Sequence, residues 1–230
     1  DSLYKYIPIN VHHLLSILNS EVYFAPYTQL NDPLECFFLN KDASMGECFQ
    51  QHDIEPRICS MVKQSPSAEA SGSTLMFAHY ANEHKGICVE YKIDAIELMK
   101  NESVACGEVL YEKKTRANDL KDLYMLKDTA WKYEEEFRFV RFDNEKFIPV
   151  TIKSITFGLK CPPAHRKIIR HLLPDEMEYH EMKHEEEGNQ IIQNKVTWHD
   201  GNICKEDVFK LMLNEDLTHL YFYHQQSQIN

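Results

Sequence analysis

Along the chain, apolar and polar residues alternate over short runs and recur at helical spacing over somewhat longer ones. The first pattern predicts half-buried strands and the second amphipathic helices. Residues 3–9 read as a first strand in which Lys5 points opposite to Tyr4 and Tyr6. Asn10 then suits a helix cap, His13, Leu14, Ile17 and Leu18 fall at helical spacing, and residues 22–25 form a second strand. Arg57–Val62 is a further strand. Residues 75–84 give a short helix that Gly86 separates from the alternating run Ile87, Val89, Tyr91.

The second half continues in the same style. Residues 93–100 read as a helix opened by Asp94, and 108–111 as a strand. Helical spacing of Leu120, Leu123, Tyr124, Leu126 and Lys127 predicts a helix over 118–131, and residues 131–140 read as a strand. One or two strands follow over 147–159, then a helix over 162–173 with Pro163 in its first turn, where the missing N–H is harmless. The run 181–187, with Lys183 and His184, reads as a solvated connection, and 190–197 as a last strand. Residues 40–73 are weakly patterned and read mostly as loop. No repeated strand–helix–strand crossover rhythm is visible, so the expected class is α+β, a mixed or antiparallel central sheet with flanking helices. The expected organisation is one domain over 1–197 with a helical C-terminal extension over 198–230 packed on it.

Composition narrows the classes. The chain has 230 residues, 43% hydrophobic and 27% charged, enough apolar material for a real core. A net charge of -11 argues against a broad basic surface for nucleic acid. Seven cysteines, at 36, 48, 59, 88, 106, 161 and 204, form no CxxC pair, which fits reduced thiols in a cytoplasm. No apolar run approaches the length of a membrane span, so no membrane partner is expected.

Three stretches carry chemistry. Residues 75–91 set His79, Tyr80, Asn82, His84 and Lys85 beside the start of a strand. In the stretch 26–35, Asn31-Asp32-Pro33 fixes an amide and a carboxylate at the end of a strand, a residue set that equally well makes an ordinary turn. In 131–140, read as a strand, Tyr133, Phe137 and Phe139 share one face while Glu134, Glu136 and Arg138 share the other. The plain meaning of such charges is a solvated ion pair. The sharper one is a carboxylate facing a cleft, oriented by Arg138. No ligand spacing for a metal is present.

In order and spacing, Leu3-Tyr4-Lys5-Tyr6 with Tyr23-Phe24-Ala25 and Asn31-Asp32-Pro33-Leu34-Glu35, then residues 78–86, then Trp131-Lys132-Tyr133-Glu134-Glu135-Glu136-Phe137-Arg138, resemble the DUF2971 family of bacterial proteins. Phe77 stands where that family usually shows Trp. The opening strand, a helix ending in Ser16-Ile17-Leu18 and the second strand resemble, more distantly, the ADP-ribosyltransferase fold of bacterial toxins and phage-defence effectors. That resemblance implies NAD as substrate. It makes Lys5 and Tyr6 candidates for holding the dinucleotide, with Asn31 and Asp32 beside them, and Tyr23 and Tyr80 candidates for stacking on nicotinamide. Glu136 becomes the carboxylate near the scissile N-glycosidic bond, with Glu134 its substitute, Arg138 its orienting or phosphate-binding partner and His79 a further candidate.

The chemistry has its own logic. Breaking a nicotinamide–ribose bond builds positive charge on the sugar, which a fixed carboxylate favours by up to a few kcal/mol. The acceptor of any ADP-ribose is an unknown macromolecule or water. Two other classes compete: a nuclease using His79, His84, Glu134 and Glu136, and a noncatalytic module whose first strand and C-terminal tail bind a partner protein.

Overall fold

The computed structural model describes residues 2–32, 56–66, 73–112, 124–174, 176–185, 190–196, 205–214, 217 and 220. Its strands in chain order are β1 (Ser2–Ile7), β2 (Glu21–Tyr23), β3 (Ala25–Pro26), β4 (Arg57–Val62), β5 (Ile87–Lys92), β6 (Val104–Glu108) and β7 (Leu110–Tyr111). They continue as β8 (Leu126–Lys127), β9 (Glu136–Arg141), β10 (Phe147–Pro149), β11 (Thr151–Phe157), β12 (Glu178–Glu185) and β13 (Gln190–Lys195). The helices are α1 (Val11–Leu18), α2 (Ser73–Tyr80), α3 (Ala95–Leu98), α4 (Pro163–Leu172) and α5 (Lys205–Asn214), with 3-10 turns at Tyr27–Gln29 and Thr129–Glu134. The class is α+β with mixed, mostly antiparallel pairing, as the sequence predicts. Expectations for residues 33–55 and for much of the tail lie outside the described residues.

The chain divides into two compact units, each assembled from separated segments. The larger takes residues 2–21, 65–92 and 149–230, the smaller 22–64 and 93–148.

In the larger unit the strands run in the order β13, β12, β11, β5, β1, antiparallel except for β11 and β12. Register puts Leu3, Ile7, Ile87, Val89, Tyr91, Ile155, Phe157 and Tyr179 on one face, and all of them are buried. This is the apolar half of the period-two pattern. Helix α4 links the parallel pair and buries Ile168, Ile169 and Leu172, and its Arg166 lies over the Phe157 ring, 5.3 Å to the centroid. Helix α5 packs against α4 and buries Val208 and Met212. Asn10 caps α1 by accepting the His13 N–H at 2.9 Å.

Past α2 the backbone turns sharply. Asn82, Glu83 and His84 all take positive φ (47°, 55° and 71°), and Gly86 follows after Lys85. A side chain at Gly86 would run into the Ile7 and Ala81 carbonyl oxygens, so the close crossing of this turn over β1 requires glycine.

In the smaller unit β9 lies between β4 and β6, antiparallel to both, while β3 extends the set beyond β4 and β7 pairs parallel with β8. Ile58, Tyr124, Met125 and Val140 form a core cluster, with Tyr27, Leu30, Ala105 and Phe142 against it.

Three local expectations change. The run at 181–187 is not a solvated connection as far as it is described: through Glu185 it is strand β12, with Tyr179 and Met182 buried. Its charges are accommodated by pairing, Glu181 with both Arg166 and Lys183, and Glu178 with Lys195. The helix expected over 118–131 does not reach 131: Tyr124 is helical, but from Leu126 on β8 and then the 3-10 turn take its place. That same turn also displaces the start of the strand expected at 131. Asp128 caps the turn by accepting the Ala130 N–H at 2.8 Å, and Glu135 ends it in the left-handed region (φ 45°), so β9 starts only at Glu136.

Candidate active site

The 3-10 turn and β9 together build a cluster of buried charges in the smaller unit. Strand alternation puts Glu136 and Arg138 on the same side of β9, as expected from the sequence. Glu134 joins them by another route: the turn, not the strand, aims it at the same point. Arg138 grips Glu136 through a two-pronged contact, Nε to Oε1 at 2.6 Å and Nη2 to Oε2 at 2.8 Å. Its remaining arm donates from Nη1 to the Tyr124 carbonyl at 2.7 Å.

Lys127, at the end of β8, completes the cluster. Its Nζ donates to Glu134 Oε2 at 2.6 Å and reaches Glu136 Oε2 at 3.4 Å. The Trp131 ring covers the ammonium, 4.9 Å from Nζ to the centroid. The Tyr111 hydroxyl accepts the Glu136 backbone N–H at 2.8 Å, fixing the first residue of the strand. The side chains of Lys127, Glu134, Glu136 and Arg138 are no more than 3% exposed. The solvated ion pair that such a strand face ordinarily means is therefore replaced by a buried one.

Burial alone would push the Glu136 carboxyl up. The Arg138 charge and hydrogen bonds, then Lys127 and Ser60, overcome it and hold the group down at about 2. Glu136 is thus a fixed anion at any ordinary pH, suited to electrostatic stabilisation and unsuited to accepting a proton. Burial pushes the Tyr111 phenol up, with the Glu136 and Glu134 charges adding to the effect against the pull of Arg138 and the Glu136 backbone contact.

The other sequence candidates are placed as follows. Tyr80 and His79 end α2 in the larger unit, His79 exposed and Tyr80 half-buried, their rings 6.4 Å apart. Lys5 and Tyr6 lie on opposite faces of β1, so a ligand on either face meets only one of them. Tyr6 is buried edge-on against Phe77, ring centroids 4.9 Å apart, a structural contact. In the smaller unit, Tyr23 is 38% exposed and leans on Phe147 at 5.3 Å. Asn31 is exposed and Asp32 buried there. Within one unit, then, Glu134, Glu136 and Arg138 come together. Sequence reasoning missed Lys127, which lies in a segment read as helix, and Tyr111, which lies on a strand as expected but carries no local signal that its hydroxyl reaches the Glu136 backbone. Among the described residues no three His, Cys, Asp or Glu side chains gather as a metal site needs.

Residues 76–139 match the model of the DUF2971 family, described as a protein of unknown function. The match supports the DUF2971 family for this chain. The DUF2971 segment contains the whole buried cluster, Tyr111, Lys127, Glu134, Glu136 and Arg138, as well as His79 and Tyr80. Compared with curated proteins and with solved structures, the chain has no significant match.

Proposed function

We propose that the protein is an ADP-ribosyltransferase-like effector, of the toxin or phage-defence kind, that cleaves the nicotinamide–ribose bond of NAD and passes the ADP-ribose to a macromolecular acceptor or to water. The observation that carries this reading is Glu136, a carboxylate at the start of a strand, oriented by Arg138 and held ionised away from bulk water. A preorganised anion of this kind favours the positive charge that develops on the ribose, and it does so without being reorganised during the reaction. The two arms of Arg138 fix the direction of the carboxylate. The Lys127 contact, the longest in the cluster at 3.4 Å, is the one a sugar carrying positive charge would replace. Thiol side chains at Cys59, Cys88, Cys106 and Cys161 accord with action in a reducing cytoplasm.

A second reading is favoured by one feature of the same cluster: its two carboxylates and two cations neutralise each other almost out of reach of solvent. In that reading the cluster is structural and the protein a noncatalytic, partner-binding module. Nicotinamide release from NAD separates the two, measured on the purified chain with and without cell lysate as acceptor. Release that is lost in Glu136→Gln, in a variant that still melts cooperatively, supports cleavage, and dependence on lysate identifies transfer. Neither release nor NAD binding by the wild-type chain would end the enzymatic reading.

A further inference from the structure

On the face of the larger unit's sheet opposite its apolar core, three strands converge on one carboxylate. Tyr4 of β1 and Ser154 of β11 stand directly across from Glu90 of β5, and Ser2 stands at the next position along that face. The Ser2 hydroxyl donates to Glu90 Oε1 at 2.7 Å and the Ser154 hydroxyl donates to Oε2, also at 2.7 Å. Tyr4 is hydrogen-bonded to both Glu90 and Ser65, and since a carboxylate only accepts, the phenol proton goes to Glu90.

Two features of this group point to a ligand. The first is charge. Glu134, Glu136 and Glu181, carboxylates withdrawn from solvent elsewhere among the described residues, are ion-paired. Glu90 is half-buried, yet among the described residues neither Lys92 nor any other basic side chain pairs with it. The second is the proton count. Each serine hydroxyl has one proton and has committed it to Glu90, as has Tyr4. The group therefore offers its surroundings only oxygen lone pairs, one negative charge and the Tyr4 ring.

We infer that Glu90, Ser2, Tyr4 and Ser154 form a binding site for an organic cation bearing N–H donors, a primary ammonium or a guanidinium group. Directed N–H donors match an acceptor-only surface. A hard metal ion fits less well, because it calls for about six or more oxygen ligands and usually several carboxylates, and both oxygens of this one already accept hydroxyls.

The test is a titration of the full chain, at near-physiological salt, with arginine amide and separately with putrescine, following the Tyr4, Glu90 and Ser154 amide resonances. Tetramethylammonium, a cation without N–H donors, and calcium serve as the comparison ligands. Saturable shifts with either amine, the tighter one identifying the group, and a loss of about tenfold or more in affinity in Glu90→Gln are expected. Ser2→Ala, at a half-exposed position, is expected to weaken binding a few-fold with the rest of the spectrum unchanged, which keeps the test decisive if Glu90→Gln does not fold. The inference is overturned if the wild-type chain shows no saturable shift, if tetramethylammonium or calcium binds as tightly at these resonances, or if neither substitution changes the affinity.

Discussion

Arg138 is the residue on which the buried cluster turns, since it holds both oxygens of Glu136 and the Tyr124 carbonyl while being 1% exposed. Arg138→Met would leave Glu136 with the longer Lys127 contact and little water, and breaking a buried pair from one side typically costs about 3–5 kcal/mol. Denaturant unfolding should show a loss of that size. It should also show the double replacement Glu136→Met with Arg138→Met losing less than Arg138→Met alone, because the isolated charge is then gone. A loss below about 1 kcal/mol for Arg138→Met would mean that the pair is effectively solvated. The same residue pair sets the acid limb of stability. Glu136 is held at about 2 against an ordinary 4.5, a depressed carboxylate, so its contribution is fully present above about pH 4.5 and disappears as the pH falls toward 2. The size is roughly 3 kcal/mol by linkage, and wild type should lose stability through that window more steeply than Glu136→Gln.

At the scale of elements, the period-two and helical patterns located most strands and helices because burial imposes those periods directly. Arg57–Val62 and α4 are examples in which one apolar face decides the matter. The errors fell where a tertiary contact or a cap overrides the period. The helical spacing runs on through Leu126 and Lys127, but the helix stops at Tyr124, a two-residue strand and a capped 3-10 turn follow, and that turn is what brings Glu134 to Lys127. Glu136 with Arg138 was legible from alternation alone, whereas Lys127 was not, because its position depended on the element being a strand. Around β5 the turn at 82–86 gives a sharp prediction. Gly86→Ala would put a methyl group against the Ile7 and Ala81 carbonyls, backbone atoms that cannot swing aside, at a cost of about 1–3 kcal/mol or more. Gly107→Ala, in β6, meets nothing within 4 Å and should be neutral or slightly stabilising. Thermal melts of the two variants compare them directly, and equal midpoints would contradict the close crossing at Gly86.

For the molecule as a whole, the α+β class was legible because the chain lacks a repeating crossover rhythm, while the division into units was not, because neither unit is continuous in sequence. The serine-rich run at 65–73 follows one passage between the units, but it reads as an ordinary loop, and no composition shift marks residue 92, where strand and helix sequences lie on both sides. The DUF2971 match at 76–139 begins in a segment of the larger unit and ends in one of the smaller. Within the larger unit its β5 pairs with β1 and β11, both outside the matched segment, and within the smaller its β9 pairs with β4, also outside it. A fragment limited to 76–139 would therefore carry two strands, β5 and β9, without those partners, exposing the buried side chains Val89, Tyr91, Phe139 and Val140. Such a fragment is expected to show no dispersed amide spectrum and no cooperative melt, while the full chain shows both. A cooperatively folding fragment would mean that the family segment is a domain in its own right, and that the pairings on either side of it are additions rather than conditions of its folding.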